Sequence, residues 1–347
     1  MTRALFVAGR GSAETDGLHY FEKAGAGTDS TWSGRLIATV DELAALCWHP
    51  SLDIVYGISG LGRGLLHAWD VANASTGQAV VLAETDCLGD IPCDLAVSPD
   101  GRMLVVANFG LGPGLGVGSL TVWALDELGL ASGEGQRVHL EGGSRVDPLK
   151  QASAHPHQIV FHEGLLYVPD FGDDTIRRFD YASGQLRELQ PISAPSGSAP
   201  RHIAMLPGSR AVASAELAGA VIAGGLVGEW TALTRGSEHT GPAAGRHTRN
   251  YPSDIKASPD GTRVYLANRG YDTISTFSVD GDCPSLVAEI DSGTVWPQHL
   301  LVSGDELLVA GWDSSTVVSL PLIEGVPGEG RVLFSCPGAG WLLEGRS

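Results

Sequence analysis

The 347-residue chain has no apolar run long enough to span a membrane. Its opening residues, MTRALFVAGRG, contain no long apolar stretch of the kind that directs secretion, so the expected location is the cytoplasm. Basic residues are few: 22 Lys and Arg stand against 40 Asp and Glu, a formal net charge of −18. A polyanion wants a basic face, which argues against nucleic acid or an anionic membrane as partner. A small anionic substrate stays compatible, because a few arginines in one cleft can reverse the local field. The five cysteines (Cys47, Cys87, Cys93, Cys283, Cys336) are odd in number and never spaced as CxxC. That argues against a zinc ribbon or a disulfide framework and fits free thiols in a reducing compartment. Long helical periodicity is also scarce. The chain has instead 47 glycines and many short apolar alternations bounded by Gly, Pro, Asp and Ser, which reads as all-β.

The alternations repeat. CDLAVSPDGRMLVVANFG from Cys93 and SDIKASPDGTRVYLANRG from Ser253 share a strand, a Ser-Pro-Asp-Gly turn, a second strand and then Ala-Asn. Proline presets φ, aspartate bonds back to the backbone and glycine accepts positive φ, so each segment is a hairpin. Weaker copies start at Leu43, His157, Arg201 and Gln298, and LFVAGRG supplies a second strand without its partner. Second strands are expected to end at Gly9, Ile58, Asn108, Asp170, Glu216, Asn268 and Gly311, about 50 residues apart. Repeats of that length built from strands indicate a seven-bladed β-propeller, one domain over residues 1–347. Its ring is expected to close by pairing the N-terminal strand with strands from the C-terminal region, which removes exposed sheet edges.

In such a blade the start of the first strand and the end of the second share one rim. That rim collects His157, Arg201, His202, Asp254, Gln298 and His299, with Asn108, Asp170, Glu216, Asn268 and Arg269. The opposite rim carries turns such as Ser98 to Gly101. Convergent polar groups at a channel mouth make the first rim the expected site. Three longer insertions, Gly110 to Gly118, Glu141 to Ala154 and Thr234 to Tyr251, belong to the same side.

The ordered succession PCDLAVSPDG, HPH…VPDFG, PRH…AEL, SDIKASPDG…ANRG and WPQH resembles the bacterial 6-phosphogluconolactonase family of seven-bladed propellers, from Ala4 to Leu320. The resemblance implies a sugar-lactone hydrolase that opens 6-phosphogluconolactone to 6-phosphogluconate in the pentose phosphate pathway. It implies four catalytic residues: His157 from HPH, Arg201 from PRH, Glu216 from AEL and Arg269 from NRG. His202, His299, Asn108 and Asp170 are expected to bind the anionic sugar lactone. Two departures stand out: PRH before the last blade is Pro297-Gln298-His299, and the loop after Asn108-Phe109-Gly110 is longer before Ser119. The same family includes carboxymuconate-type cyclases, so ring closure is an alternative, as is a non-catalytic binding platform.

Each motif has a plainer reading. His155 and His157 as HxH on a strand could share one face and a metal, but no third ligand has suitable spacing. Arg201 and Arg269 either recognise an anion with their forked donors or pair with surface acids. Glu216 is a base, a positioning group or a salt-bridge partner. Asp170 and Asp254 suit strand-end ties. The glycine run Gly110 to Gly118 precedes no helix and is not a phosphate cradle. Trp69-Asp70 and Trp312-Asp313 lack the Gly-His partner of a WD repeat. Lactone hydrolysis itself needs no metal or organic cofactor.

Overall fold

The computed structural model describes residues 3–12, 14–25, 31–110, 117–239 and 249–346. Residues 111–116 and 240–248 of two expected insertions lie outside this set. Among the described residues there is no helix, and the strands form seven sheets. Two compact units divide the chain: one comprises Met1–Leu43, Asn73–Ala79 and Arg235–Ser347, the other Ala44–Ala72 and Val80–Thr234.

The second unit carries four blades. From inner to outer strand they are Leu43–Trp48, Ile54–Ser59, Arg63–Asp70 and Val80–Asp90; then Pro92–Val97, Met103–Asn108, Ser119–Leu125 and Ala131–His139. Val160–His162, Leu165–Asp170, Thr175–Asp180 and Arg187–Ser193 make the next, followed by Pro200–Leu206, Arg210–Ala215, Ala220–Gly225 and Ala232–Arg235. The expected turns are present in detail. Ser98 Oγ donates to Asp100 Oδ1 at 2.6 Å, Gly101 N–H returns to Ser98 O at 2.9 Å, and Gly101 takes φ +75°. Second strands such as Met103–Asn108 are buried throughout, because both faces pack on neighbouring sheets.

The first unit holds Tyr251–Ala257, Arg263–Arg269, Thr273–Ser278 and Ser285–Asp291 as one blade. Pro297–Ser303, Glu306–Gly311, Thr316–Ile323 and Arg331–Ser335 form another, with Val326–Pro327 sharing its outer edge. The remaining blade is composite. Trp341–Glu344 is its inner strand and pairs antiparallel with Ala4–Gly9, Ala8 opposite Trp341 and Leu5 opposite Glu344. Gly17–Ala24 and Thr31–Thr39 complete it. Leu5, Val7 and Leu342 meet Leu308 and Val317 in one buried cluster, so closure is sealed by apolar packing as well as by the ladder.

A column of polar side chains crosses the blades from second to fourth strand. In the first sheet of the second unit, Ser59 Oγ lies 2.8 Å from His67 Nε2, and His67 Nδ1 lies 3.0 Å from Glu84 Oε1. Counterparts are Asn108 Nδ2 donating to Thr121 Oγ1 at 3.0 Å and Asn268 Nδ2 donating to Ser275 Oγ at 2.8 Å. Asp170, Arg177 and Glu188 form the charged version, at 2.7 and 2.8 Å. The triad-like spacing of Ser59, His67 and Glu84 is therefore one instance of a repeated buried brace, which satisfies polar groups that burial would otherwise strand.

Candidate active site

A proline lies at or near the start of the inner strand in five blades and sets a common register. Pro92, Pro156, Pro200, Pro252 and Pro297 stand opposite Asn108, Asp170, Ala215, Asn268 and Gly311. Proline has no N–H to give a ladder, so it suits the first residue of a strand. The residue before it takes left-handed φ in three blades: Ile91 at 51°, Ala199 at 52° and Trp296 at 59°. Its carbonyl then accepts the N–H of the residue just past the second strand: Phe109 from Ile91, Glu216 from Ala199, Trp312 from Trp296, at 2.9–3.1 Å. This backbone device fixes where each of those three side chains starts.

After the proline come two positions with different duties. The second one, Asp94, Gln158, Asp254 and His299, latches to the following blade. Asp94 Oδ2 accepts Ile159 N–H at 2.8 Å, and Gln158 Oε1 accepts Ile203 N–H at 2.7 Å. In the first unit, Asp254 Oδ2 accepts Leu300 N–H at 2.8 Å, and His299 Nδ1 accepts Leu342 N–H at 3.2 Å. His299 also stacks on Trp341, with centroids 4.1 Å apart. Sequence reading gave His299 to substrate; its bonds hold two blades together. Asn108 and Asp170 likewise serve the buried brace. Asp170 is fully buried, and its Oδ1 accepts the N–H groups of His155, Gly172 and Asp173.

The first position after the proline is the one that varies in chemical type. In the second unit it supplies Cys93, His157 and Arg201. Arg201 is 4% exposed, and its Nε lies 3.2 Å from Glu216 Oε2. The turn before it is pinned by Asp174, whose carboxylate accepts Gly197 N–H at 2.7 Å and Ala199 N–H at 2.8 Å. The His157 ring stands edge-on to His202 at 5.3 Å and to Phe109 at 5.7 Å. Three of the four expected catalytic residues lie in this unit, and His202 adjoins them. His155 faces elsewhere: its ring stacks on Phe109 at 4.5 Å, and Nδ1 lies 2.6 Å from Phe109 O. Burial pushes the Cys93 thiol strongly up, which disfavours the thiolate, and the thiol donates to Pro156 O at 3.3 Å.

Arg269, the fourth expected residue, lies in the first unit at the position equivalent to Glu216. Its Nε donates to Tyr251 O at 3.0 Å, its Nη1 to Gln298 Oε1 at 3.3 Å, and Cζ sits 5.4 Å over the Trp296 ring. Gln298, the departure from the PRH pattern, is therefore a direct partner of Arg269. Among the described residues, no three His, Cys, Asp or Glu are grouped to hold a metal ion.

Residues 5–324 match the model of the family described as lactonase, 7-bladed beta-propeller. The chain belongs to that family. The 6-phosphogluconolactonase of Bacillus subtilis is 27% identical over 267 residues, covering 73% of this chain and 72% of that one. That of Formosa agariphila is 27% identical over 262 residues, with 71% of each covered. The periplasmic gluconolactonase of Pseudomonas aeruginosa shares the fold, with TM-score 0.84 and 23% identity over 99% of both chains.

In this lactonase propeller the tie expected at Asp254 is one of a series, while the latches at Asp94, Gln158 and His299 and the left-handed residues before proline are not named by any motif. The signal was there: an X-Pro pair recurs at Ile91-Pro92, Ala199-Pro200 and Trp296-Pro297, one at each inner-strand start. The insertion Glu141 to Ala154 is anchored against the blade it precedes. Gly143 N–H donates to Asp173 Oδ1 at 2.7 Å, and the Gln151 amide to Phe171 O and Asp174 Oδ1 at 3.0 and 2.8 Å. No helix is long and apolar enough to cross a membrane among the described residues.

Proposed function

We propose that this lactonase propeller hydrolyses a sugar lactone, with 6-phosphogluconolactone as its substrate. The observation that carries the reading is the Arg201–Glu216 ion pair in the same unit as the half-buried His157 and its buried neighbour His202. The curated relatives named for that lactone support the choice of substrate.

Opening a lactone requires attack of water on the ring carbonyl, stabilisation of the oxyanion, and protonation of the ring oxygen as the C–O bond breaks. Imidazole is suited to the proton transfers near neutral pH. His157 takes a proton from the attacking water and returns one to the departing ring oxygen; His202 supports its orientation. Arg201, held by Glu216 with its donor plane fixed, meets the developing oxyanion or the substrate anion. Arg269, taken from the family resemblance, recognises an anionic group. The product is the open-chain aldonate. The cytoplasm is the proposed compartment, because all five cysteines are free thiols, two of them buried.

The test is a panel of lactones, phosphorylated and not, hydrolysed by purified protein against enzyme-free blanks, since lactones open spontaneously. Rates indistinguishable from the blanks across the panel, with folded protein, would eliminate the hydrolase reading. Turnover of a carboxymuconate instead would move the reaction to ring closure.

A further inference from the structure

The rim position that carries Glu216 and Arg269 carries Arg10 in the composite blade. Leu342 stands opposite Val7 as Leu300 stands opposite Val309, so Arg10 follows Gly9 as Trp312 follows Gly311. Neither the four-residue set nor the expected substrate contacts include Arg10 or Trp312. The Arg10 Cζ lies 5.0 Å over the Trp312 ring, much as the Arg269 Cζ lies 5.4 Å over Trp296. The two pairs are joined through the backbone, since Trp312 N–H donates to Trp296 O at 3.1 Å.

Local sequence builds this arrangement. Gly340 occupies the place that Gln298 holds in the neighbouring blade, and a Cβ there would come within 3.3 Å of the Trp312 ring. Gly338 takes φ +51°, and a Cβ on it would meet Arg10 O at 1.8 Å, so only glycine lets the two segments approach. Arg10 is oriented by Nε donating to Leu43 O at 3.1 Å and by Nη1 at 3.2 Å from Glu42 Oε2. Nothing among the described residues bonds its Nη2. The two indoles and Gln298 are only half-buried. An arginine held over an indole keeps its N–H groups oriented at little entropic cost, and the remaining indole surface suits the C–H face of a sugar.

We infer that Arg10 and Trp312, contiguous with Trp296, Arg269 and Gln298, form a subsite on the first unit that binds an oxyanion, carboxylate or phosphate, of a sugar acid. The ligand class rests on the sugar-lactone reading above. Carboxylate and phosphate share the oxyanion chemistry, and the two arms of the test separate them.

The experiment titrates 6-phosphogluconate and gluconate against the full chain by calorimetry and tryptophan emission, in wild type, Arg10→Met, Arg10→Lys, Trp312→Phe and His157→Gln. Loss of a charged hydrogen bond predicts about tenfold or more weaker binding for Arg10→Met, with partial recovery in Arg10→Lys. A loss confined to 6-phosphogluconate assigns the subsite to phosphate; an equal loss for both ligands assigns it to the sugar acid. His157→Gln retains binding while losing turnover. Thermal unfolding of each variant reports folding, and Arg10→Lys carries the test if Arg10→Met does not fold. Unchanged affinity in folded Arg10 variants of a protein that hydrolyses lactones overturns this inference alone. Absence of both binding and turnover in the wild type overturns the functional reading with it.

Discussion

Arg201 Nε and Glu216 Oε2 lie 3.2 Å apart, with the arginine side chain 5% exposed and the glutamate side chain 16%. The pair joins the first position of an inner strand to the residue just past the second strand of the same blade. A buried guanidinium without its carboxylate is costly, so part of what Glu216 does is to hold Arg201 charged and oriented.

Arg201→Lys keeps the charge but not the fork. We expect substrate or transition-state binding to weaken by about 1–3 kcal/mol, read as kcat/KM on the preferred lactone. Wild-type kcat/KM in the folded lysine variant would remove Arg201 from direct anion contact.

His157→Gln retains hydrogen bonding without titration. If His157 carries the proton, kcat falls about 10²–10⁴-fold, and the acidic limb of the pH–rate profile is lost while the unfolding midpoint holds. Retained activity would leave Glu216 as the next candidate base.

Leu342→Ala tests closure of the composite blade. Leu342 is 2% exposed within the cluster of Leu5, Val7 and Leu308, so about 2–5 kcal/mol of stability should go, measured by urea unfolding. A loss under about 1 kcal/mol would mean that the terminal strand contributes little.

His67 provides a pH handle on stability. Burial lowers its pKa, and the Glu84 charge opposes this only in part. The folded chain thus resists protonation at a histidine that the unfolded chain protonates near its usual value of about 6.5. Stability from this group is present above that pH and is lost as pH falls below it. Buried His19 adds to the slope in the same direction. Unfolding midpoints at pH 7.5 and about 5.5 should differ less in His67→Gln than in wild type. An equal drop in both would rule out His67 as a source.

Much of the architecture was legible because it is local. Ser-Pro-Asp-Gly names its own turn, period-two alternation names its strands, and an unpaired LFVAGRG announces a composite blade. Of the candidate site, the motifs name Arg201 and Glu216, which pair at 3.2 Å, and His157, whose ring stands edge-on to His202. What the motifs lack is register. A β-bulge follows the opening proline in several blades, shifting the count by one. Glu216 was therefore aligned with Asn268, whereas Ala215 is the true equivalent and Glu216 matches Arg269. His299 looked like Arg201 because both sit near a proline at a strand start; one residue of difference turns a rim group into a latch. Asp170 bonds backbone amides as the strand-end tie expected of it, whereas the bracing role of Asn108 is visible only in its side-chain partners.

The two residues behind each opening proline are neighbours in the chain yet answer to different demands. The latch residue must satisfy a buried amide of the next blade, so it tolerates only acceptors of the right reach: aspartate, glutamine or a histidine nitrogen. Its predecessor ranges over Cys93, His157, Arg201, Ser253 and Gln298 with the strand unchanged. Such a scaffold can change what it recognises one blade at a time without reopening the question of how it folds. Libraries that vary only those predecessor positions should yield folded proteins at a far higher rate than libraries shifted by a single residue.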